Sequence, residues 1–220
     1  MNVKEVGNPA FQLLECELGP GETIIMEPGA MASQNTGIVG TTSMNGSFFK
    51  AIILKFLGGE SFFISHYRNR VMGMQKIYIS QSIPGDIQMK MLKGEEIYLE
   101  VGSFIARTAG ITTRLKWSGF ASFIAGEGLF KLAFSGSGSL WYGCYGAVIE
   151  KEINGTLIVD SGHLLMWPDT VSLKLKLPSG LFSSFVSKEG FVLELSGHGK
   201  IQLQSRSVKG LAQWLNVRFW

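Results

Sequence analysis

Apolar residues come along this chain in short runs of four to six, separated by glycine-rich breaks. Runs of that length predict strands joined by tight turns rather than long helices. An amphipathic helix is predicted only at the end, where Val208, Leu211, Ala212 and Leu215 fall at i, i+3, i+4 and i+7. Gly210 weakens that helix, and the aromatic close Trp214, Phe219 and Trp220 predicts a tail docked on something apolar.

The runs repeat. Gly21-Glu22, Ile24, Glu27, Gly29, Gly37 and Ile38 return as Gly94-Glu95, Ile97, Glu100, Gly102, Gly110 and Ile111, every position displaced by 73. A third copy, one residue shorter, runs through Gly155, Ile158, Asp160, Gly162 and Val171. The predicted unit is an apolar strand, an acidic-x-Gly turn and a second strand. Its second half also recurs, as FLGGESFF at 56–63, FIAGEGLF at 123–130 and FVSKEGFV at 185–192. Upstream, Ile53/Phe56/Leu57, Phe120/Phe123/Ile124 and Phe182/Phe185/Val186 share helical spacing and predict one short helical turn per unit. Downstream, Ser135-Gly136-Ser137-Gly138 and Ser196-Gly197-His198-Gly199 predict turns before strands at Leu140 and Ile201, and the first copy has a looser loop at 68–74. Asn45-Gly46 and Asn154-Gly155 predict hairpin turns.

Three such units, approximately 11–84, 85–145 and 146–206, followed by a helix and tail at 207–220, make one domain. Stacked side by side they bury faces that none could bury alone. The predicted fold is all-β, a three-repeat pseudosymmetric barrel or prism of short antiparallel strands.

Composition narrows the function classes. The 20 basic and 17 acidic residues are spread along the chain, so no block of like charge marks a nucleic-acid arm. The N-terminal residues lack the apolar core of a secretion signal, and the window Phe48–Leu57 is interrupted by Lys50 and Lys55, so a cytoplasmic protein without a spanning helix is expected. Cys16 and Cys144 form no metal-binding or redox pair and are expected to be buried, reduced thiols.

Gly-Glu-x-Ile followed by Glu-x-Gly, Gly-Glu-Ser-Phe-Phe at 59–63, Gly-His-Leu at 162–164, Glu-Gly-Phe-Val and Ser-Gly-His-Gly within 189–199, and Gln-Ser-Arg-Ser at 204–207 are the most distinctive words of the sequence. On these the chain resembles, over nearly its whole length, the altered-inheritance-of-mitochondria family of bacterial and mitochondrial proteins. The resemblance implies a fold like three fused copies of the tryptophan RNA-binding attenuation protein subunit, a short variant of the double-stranded β-helix. It also implies a homotrimer for bacterial members and a link to inner-membrane organisation for the eukaryotic ones. It implies no activity.

Candidate chemistry is sparse. There is no Gly-x-Ser-x-Gly elbow, and His66, His163 and His198 stand singly, so neither a nucleophile nor a metal or other cofactor is predicted. Glycine pairs at 126–128, 136–138 and 197–199 lack the third glycine and long helix of a phosphate loop. Glu60, Glu127 and Glu189 recur in equivalent places, where they would either converge on a cation or shared proton or cap their own turns. Phe48, Phe49, Ile52, Ile53, Phe56 and Leu57 form an apolar helical face, read either as a cap on the core or as a docking face for a membrane or partner. Basic residues Arg68/Arg70, Arg107/Arg114/Lys116 and Lys174/Lys176 form no common stripe for RNA. The sequence therefore predicts a non-enzymatic, homotrimeric scaffold or binding module that contacts a protein partner. An interfacial membrane or RNA-binding protein, and an enzyme with an unrecognised carboxylate or metal site, are the alternatives.

Overall fold

The computed structural model describes residues 1–7, 11–44, 63–117, 130–176 and 192–219. Its strands, in chain order, are β1 (Asn2–Val6), β2 (Leu13–Leu18), β3 (Thr23–Met26), β4 (Met31–Gln34), β5 (Ile38–Met44), β6 (Phe63–Asn69), β7 (Gln75–Ser80) and β8 (Ile87–Lys93). There follow β9 (Ile97–Leu99), β10 (Phe104–Arg107), β11 (Ile111–Trp117), β12 (Phe130–Gly143), β13 (Val148–Asp160), β14 (Leu164–Pro168), β15 (Val171–Lys176) and β16 (Val192–Gln204). Among the described residues one α-helix, α1 (Val208–Phe219), comes last. Every pairing between these strands is antiparallel. The fold is all-β with one short C-terminal helix.

Alternation of side chains builds the strands. In β2, Leu14, Cys16 and Leu18 are buried while Leu13, Glu15 and Glu17 are partly exposed, the period of two that a half-buried strand requires. Ile77 and Ile79 of β7 meet them from the paired strand. Each such aliphatic side chain taken out of water contributes about 1.5–3 kcal/mol. The buried side chains fall into three clusters, centred on Leu14/Ile24/Ile77, Leu99/Phe134/Leu140 and Trp167/Leu195/Ile201.

The described strands form a four-stranded sheet, β1-β2-β7-β4, and a twelve-stranded one whose path runs β13-β16-β14-β9-β12-β10-β3-β6-β5. The path is open. The predicted barrel or prism is therefore not closed among the described residues, because no strand pairs the outer side of β4 with the second half of β13. β4, β10 and β14 each carry a register shift, between Met31 and Ser33, Phe104 and Ala106, and Leu164 and Met166. An extra residue at these points bends the strand and sharpens its twist.

Two predicted turns prove to be strand interior. Gly136 and Gly138 lie within β12, and Gly197 and Gly199 within β16, so the runs around them are single long strands. Gly136 has φ +115°, and a Cβ there would stand 2.3 Å from the Gly110 carbonyl oxygen. Glycine is needed for close passage of a second backbone, not to reverse the chain. Asn154-Gly155 likewise sits in the middle of β13, paired with His198 and Gly197. The acidic-x-Gly turns at Glu27 and Glu100 are present, with Gly29 and Gly102 at positive φ. Asp160 instead starts a 3₁₀ turn, Ser161–His163, whose Gly162 N–H donates to its carboxylate at 2.9 Å.

The C-terminal helix is present over Val208–Phe219, yet Val208, Leu211, Trp214 and Leu215 are all exposed. The short helical turns expected near residues 53–57, 120–124 and 182–186 lie outside the described residues, as does the Asn45-Gly46 turn.

Candidate functional site

The residues singled out from the sequence as a site, Glu60, Glu127 and Glu189, and the apolar face Phe48, Phe49, Ile52, Ile53, Phe56 and Leu57, all lie outside the described residues. The segments that hold them are flanked by paired strand ends, Met44 with Phe63, Trp117 with Phe130 and Lys176 with Val192. His66, His163 and His198 fall in β6, the 3₁₀ turn and β16, and His163 Nδ1 sits 2.8 Å from the Gln204 carbonyl. Among the described residues no three metal-binding side chains come together, and no helix is long and apolar enough to cross a membrane. Both thiols are free and buried, and desolvation pushes Cys16 up to about 12 and Cys144 up to about 11.

What the described residues do present is a pair of matched strand seams and two strand edges of the same kind left open. At the first seam β10 pairs with β3, Ala106 opposite Met26 and Arg107 opposite Ile25, and the Glu27 N–H donates to the Ile105 carbonyl at 3.0 Å. At the second, β14 pairs with β9, Met166 opposite Leu99 and Trp167 opposite Tyr98, and the Glu100 N–H donates to the Leu165 carbonyl at 3.0 Å. The two seams share one register and one hydrogen-bond pattern. Phe104–Arg107 is buried throughout, and so is Leu164–Trp167.

β4 differs. All four of its residues are exposed, and β7 is its only paired neighbour among the described strands. On the other side of the seams, Ile25 is 5% and Tyr98 9% exposed, whereas Ile158 of β13 is 53% exposed. Met31–Gln34 contains no proline and no charge, the usual guards of an edge strand. Such an edge offers its unpaired N–H and C=O groups to another chain.

The closed seams show what the chemistry of an occupied edge is. Arg107 donates through Nη1 to the Thr108 carbonyl at 3.3 Å and to the Ile111 carbonyl, while its Nε has no partner. Burial pulls its pKa down to about 10, and it makes no ion pair among the described residues. Gln34, in β4, uses the same reach of four residues, its Nε2 donating to the Ile38 carbonyl at 3.1 Å. Trp167 packs against Tyr98 with ring centroids 5.7 Å apart, and Lys131 Nζ lies 3.8 Å from the Tyr98 centroid. Desolvation, then the nearby Lys116, lowers the Lys131 pKa. Lys116 itself pairs with Glu96 at 2.6 Å, which holds that carboxyl below its ordinary range.

The sequence profile of the mitochondrial biogenesis AIM24 family matches residues 4–206. The chain belongs to that family. The resemblance carried by the motifs at 59–63, 162–164, 189–199 and 204–207 is thereby shown. An uncharacterized protein from Streptococcus pyogenes serotype M6 is 26% identical over 211 residues, which span 92% of this chain and 84% of that protein. The crystal structure of protein SPYM3_0169 from Streptococcus pyogenes superposes with a TM-score of 0.83 at 24% identity, covering 99% of each chain. That likeness is one of fold. Neither relative's name states an activity.

No residue of β4 was singled out from the sequence. The signal was available in the comparison of three stretches: Met-Ala-Ser-Gln at 31–34, Phe-Ile-Ala-Arg at 104–107 and Leu-Leu-Met-Trp at 164–167. The first is the least apolar, as befits a strand with only one paired neighbour among the described strands.

Proposed function

We propose that this chain is a non-enzymatic, cytoplasmic scaffold that works as a homotrimeric ring, with β4 of each copy adding to the Leu157–Asp160 edge of the next. In this reading the chain is three copies of one attenuation-protein-like unit, and the third seam is intermolecular. The observation that carries it is the contrast in burial: β10 and β14 are covered by β3 and β9, while β4 and Ile158, which hold the corresponding places, face water. Continuing the register of the two internal seams sets Ser33 opposite Val159 and Gln34 opposite Ile158. By the same pattern the Asp160 N–H donates to the Ala32 carbonyl of the adjacent copy. A head-to-tail contact that repeats an internal rotation closes into a ring rather than a filament when the units return on themselves. Three chains is the closure implied by the family resemblance.

A basic RNA or membrane surface receives less support. Lys116 and Lys176, two of the cations that such a stripe would use, are paired with Glu96 and Glu194.

Gln34→Pro tests the reading. In an antiparallel ladder hydrogen-bonded pairs recur every second residue, so the pair at Glu27 and Ile105 places Arg107 in a hydrogen-bonding position toward β3. Gln34 is placed alike, and proline there removes the outward N–H. Sedimentation velocity is expected to give a monomer for Gln34→Pro and for Ile158→Lys, with the β-sheet circular dichroism retained. A wild-type mass for both variants would contradict the proposal.

A further inference from the structure

Strand β8 has one paired neighbour among the described strands, β12, along Ile87–Lys93. The bonds at its two ends show which of its amides point away from β12. The Asp86 carbonyl accepts from the Cys144 N–H at 3.1 Å, and the Gly94 N–H donates to the Gly136 carbonyl at 3.0 Å, so the even-numbered residues bond to β12. The odd-numbered ones face outward. The Ile87 N–H donates to the Gln12 side chain, and the Lys93 N–H to the Glu95 carboxylate at 2.7 Å. Side chains thus close both ends of this edge. Between them, Met89 and Met91 hold outward N–H groups that have no partner among the described residues. Their side chains are 50% and 49% exposed.

β2 shows what an occupied edge of this kind looks like. It lies on β7 as β8 lies on β12, and β1 covers its outer side, antiparallel, over Leu13–Glu17. Lys4 of β1 stands opposite Glu15, so the added strand brings the charge that complements the edge it covers. On β8 the corresponding charge is Lys90, between the two methionines, and it makes no ion pair among the described residues. An antiparallel strand that uses both free amides sets one residue opposite each methionine and a third opposite Lys90. A second copy of this chain fits that place badly. The one symmetric register that joins the free amides of two β8 edges puts Met89 opposite Met91 and therefore Lys90 opposite Lys90. The outer edge of β13 gives the same result. There the Asp86 carboxylate accepts from the Val148 N–H at 3.3 Å, which marks Glu150 and Glu152 as the next outward residues, with Lys151 between them. Joined to β8 through those two, Lys151 falls opposite Lys90. Like charges directly opposite are destabilising, and opposite charges are stabilising.

We propose that the Met89–Met91 edge takes up an extended segment of a partner protein as an added antiparallel strand, with an acidic residue opposite Lys90 between two apolar ones. Main-chain bonds supply the attachment, and the alternating side chains supply the selectivity. The inference rests on the scaffold reading above for a protein partner, and it uses no part of the ring.

The test is an NMR titration of isotope-labelled full-length protein with two peptides, acetyl-Ser-Thr-Val-Glu-Val-Thr-Ser-amide and the same peptide with Lys in place of Glu. The acidic peptide is expected to shift the Met89 and Met91 amides and to bind about tenfold or more tightly than the lysine peptide. Lys90→Glu is expected to reverse that preference. Met91→Pro removes an outward N–H and no bond to β12, and is expected to abolish binding with the β-sheet circular dichroism retained. Gln34→Pro, aimed at the ring, is expected to bind the acidic peptide as the wild type does. No binding of the acidic peptide at about millimolar concentration overturns the proposal. So does an equal response to the two peptides, or a preference that Lys90→Glu leaves unchanged. A wild-type oligomer that Met91→Pro reduces to a smaller one would assign the edge to a second copy, and overturn the proposal as well. A monomeric wild type that still binds the acidic peptide at Met89 and Met91 overturns the ring alone.

Discussion

Tyr98 and Trp167 stand opposite each other where β9 meets β14, their ring centroids 5.7 Å apart and both almost wholly out of water. Arg107 and Ile25 hold the corresponding places where β10 meets β3. Gln34 of β4 and Ile158 of β13 are, by contrast, both exposed.

Removing either ring from the closed seam should therefore cost much more than removing the exposed Ile158. Tyr98→Ala and Trp167→Ala are each expected to lower unfolding free energy by about 3–5 kcal/mol in urea denaturation. Ile158→Ala, measured at a concentration low enough for the chain to be monomeric, should change it by no more than about 0.5 kcal/mol. An equal cost at all three sites would mean that Ile158 is covered within one chain.

Arg107 is a buried guanidinium with no ion pair among the described residues, so it is held at the expense of its lost hydration. Arg107→Met keeps the volume and removes the charge. It is expected to leave stability unchanged or raise it by about 1–4 kcal/mol. A loss of stability of about 2 kcal/mol or more in the same urea titration would show that the cation is compensated within the fold.

Stability should fall in alkali because of Cys16. Its folded pKa of about 12 lies above the ordinary value of 9.0, so below pH 9 the thiol is protonated in both states and has no effect on the slope. Between pH 9 and about 12 the unfolded chain releases the proton and the folded one keeps it, so unfolding becomes easier by up to about 1.4 kcal/mol per pH unit. Cys144 adds a similar decline up to about 11. Comparing wild type with Cys16→Ala between pH 8 and 10.5 checks this: the alanine variant should show the shallower decline, and parallel profiles would contradict it.

Much of the local fold was legible because the relevant signals are local. The Glu27 and Glu100 turns, with their glycines two residues on, and the C-terminal helix depend on neighbours within a few residues. Gly136 and Gly197 misled for a physical reason. A glycine that makes room for another backbone is indistinguishable in sequence from one that turns the chain, and here the close backbones are contributed by Gly110 and Thr170. The open edges were illegible for the same reason. Whether Met31–Gln34 is covered depends on which strand follows β13 in space, which no local pattern encodes. The repeated glutamates drew notice by recurrence alone, whereas the seams recur in backbone register, with side chains as unlike as Gln34, Arg107 and Trp167 at one place.

The most direct measurement is native mass spectrometry of the freshly purified full-length protein alongside Gln34→Pro. A trimer for the wild type and a monomer for the variant is the result that the proposed ring predicts. A wild-type chain that stays monomeric at micromolar concentration would contradict the ring.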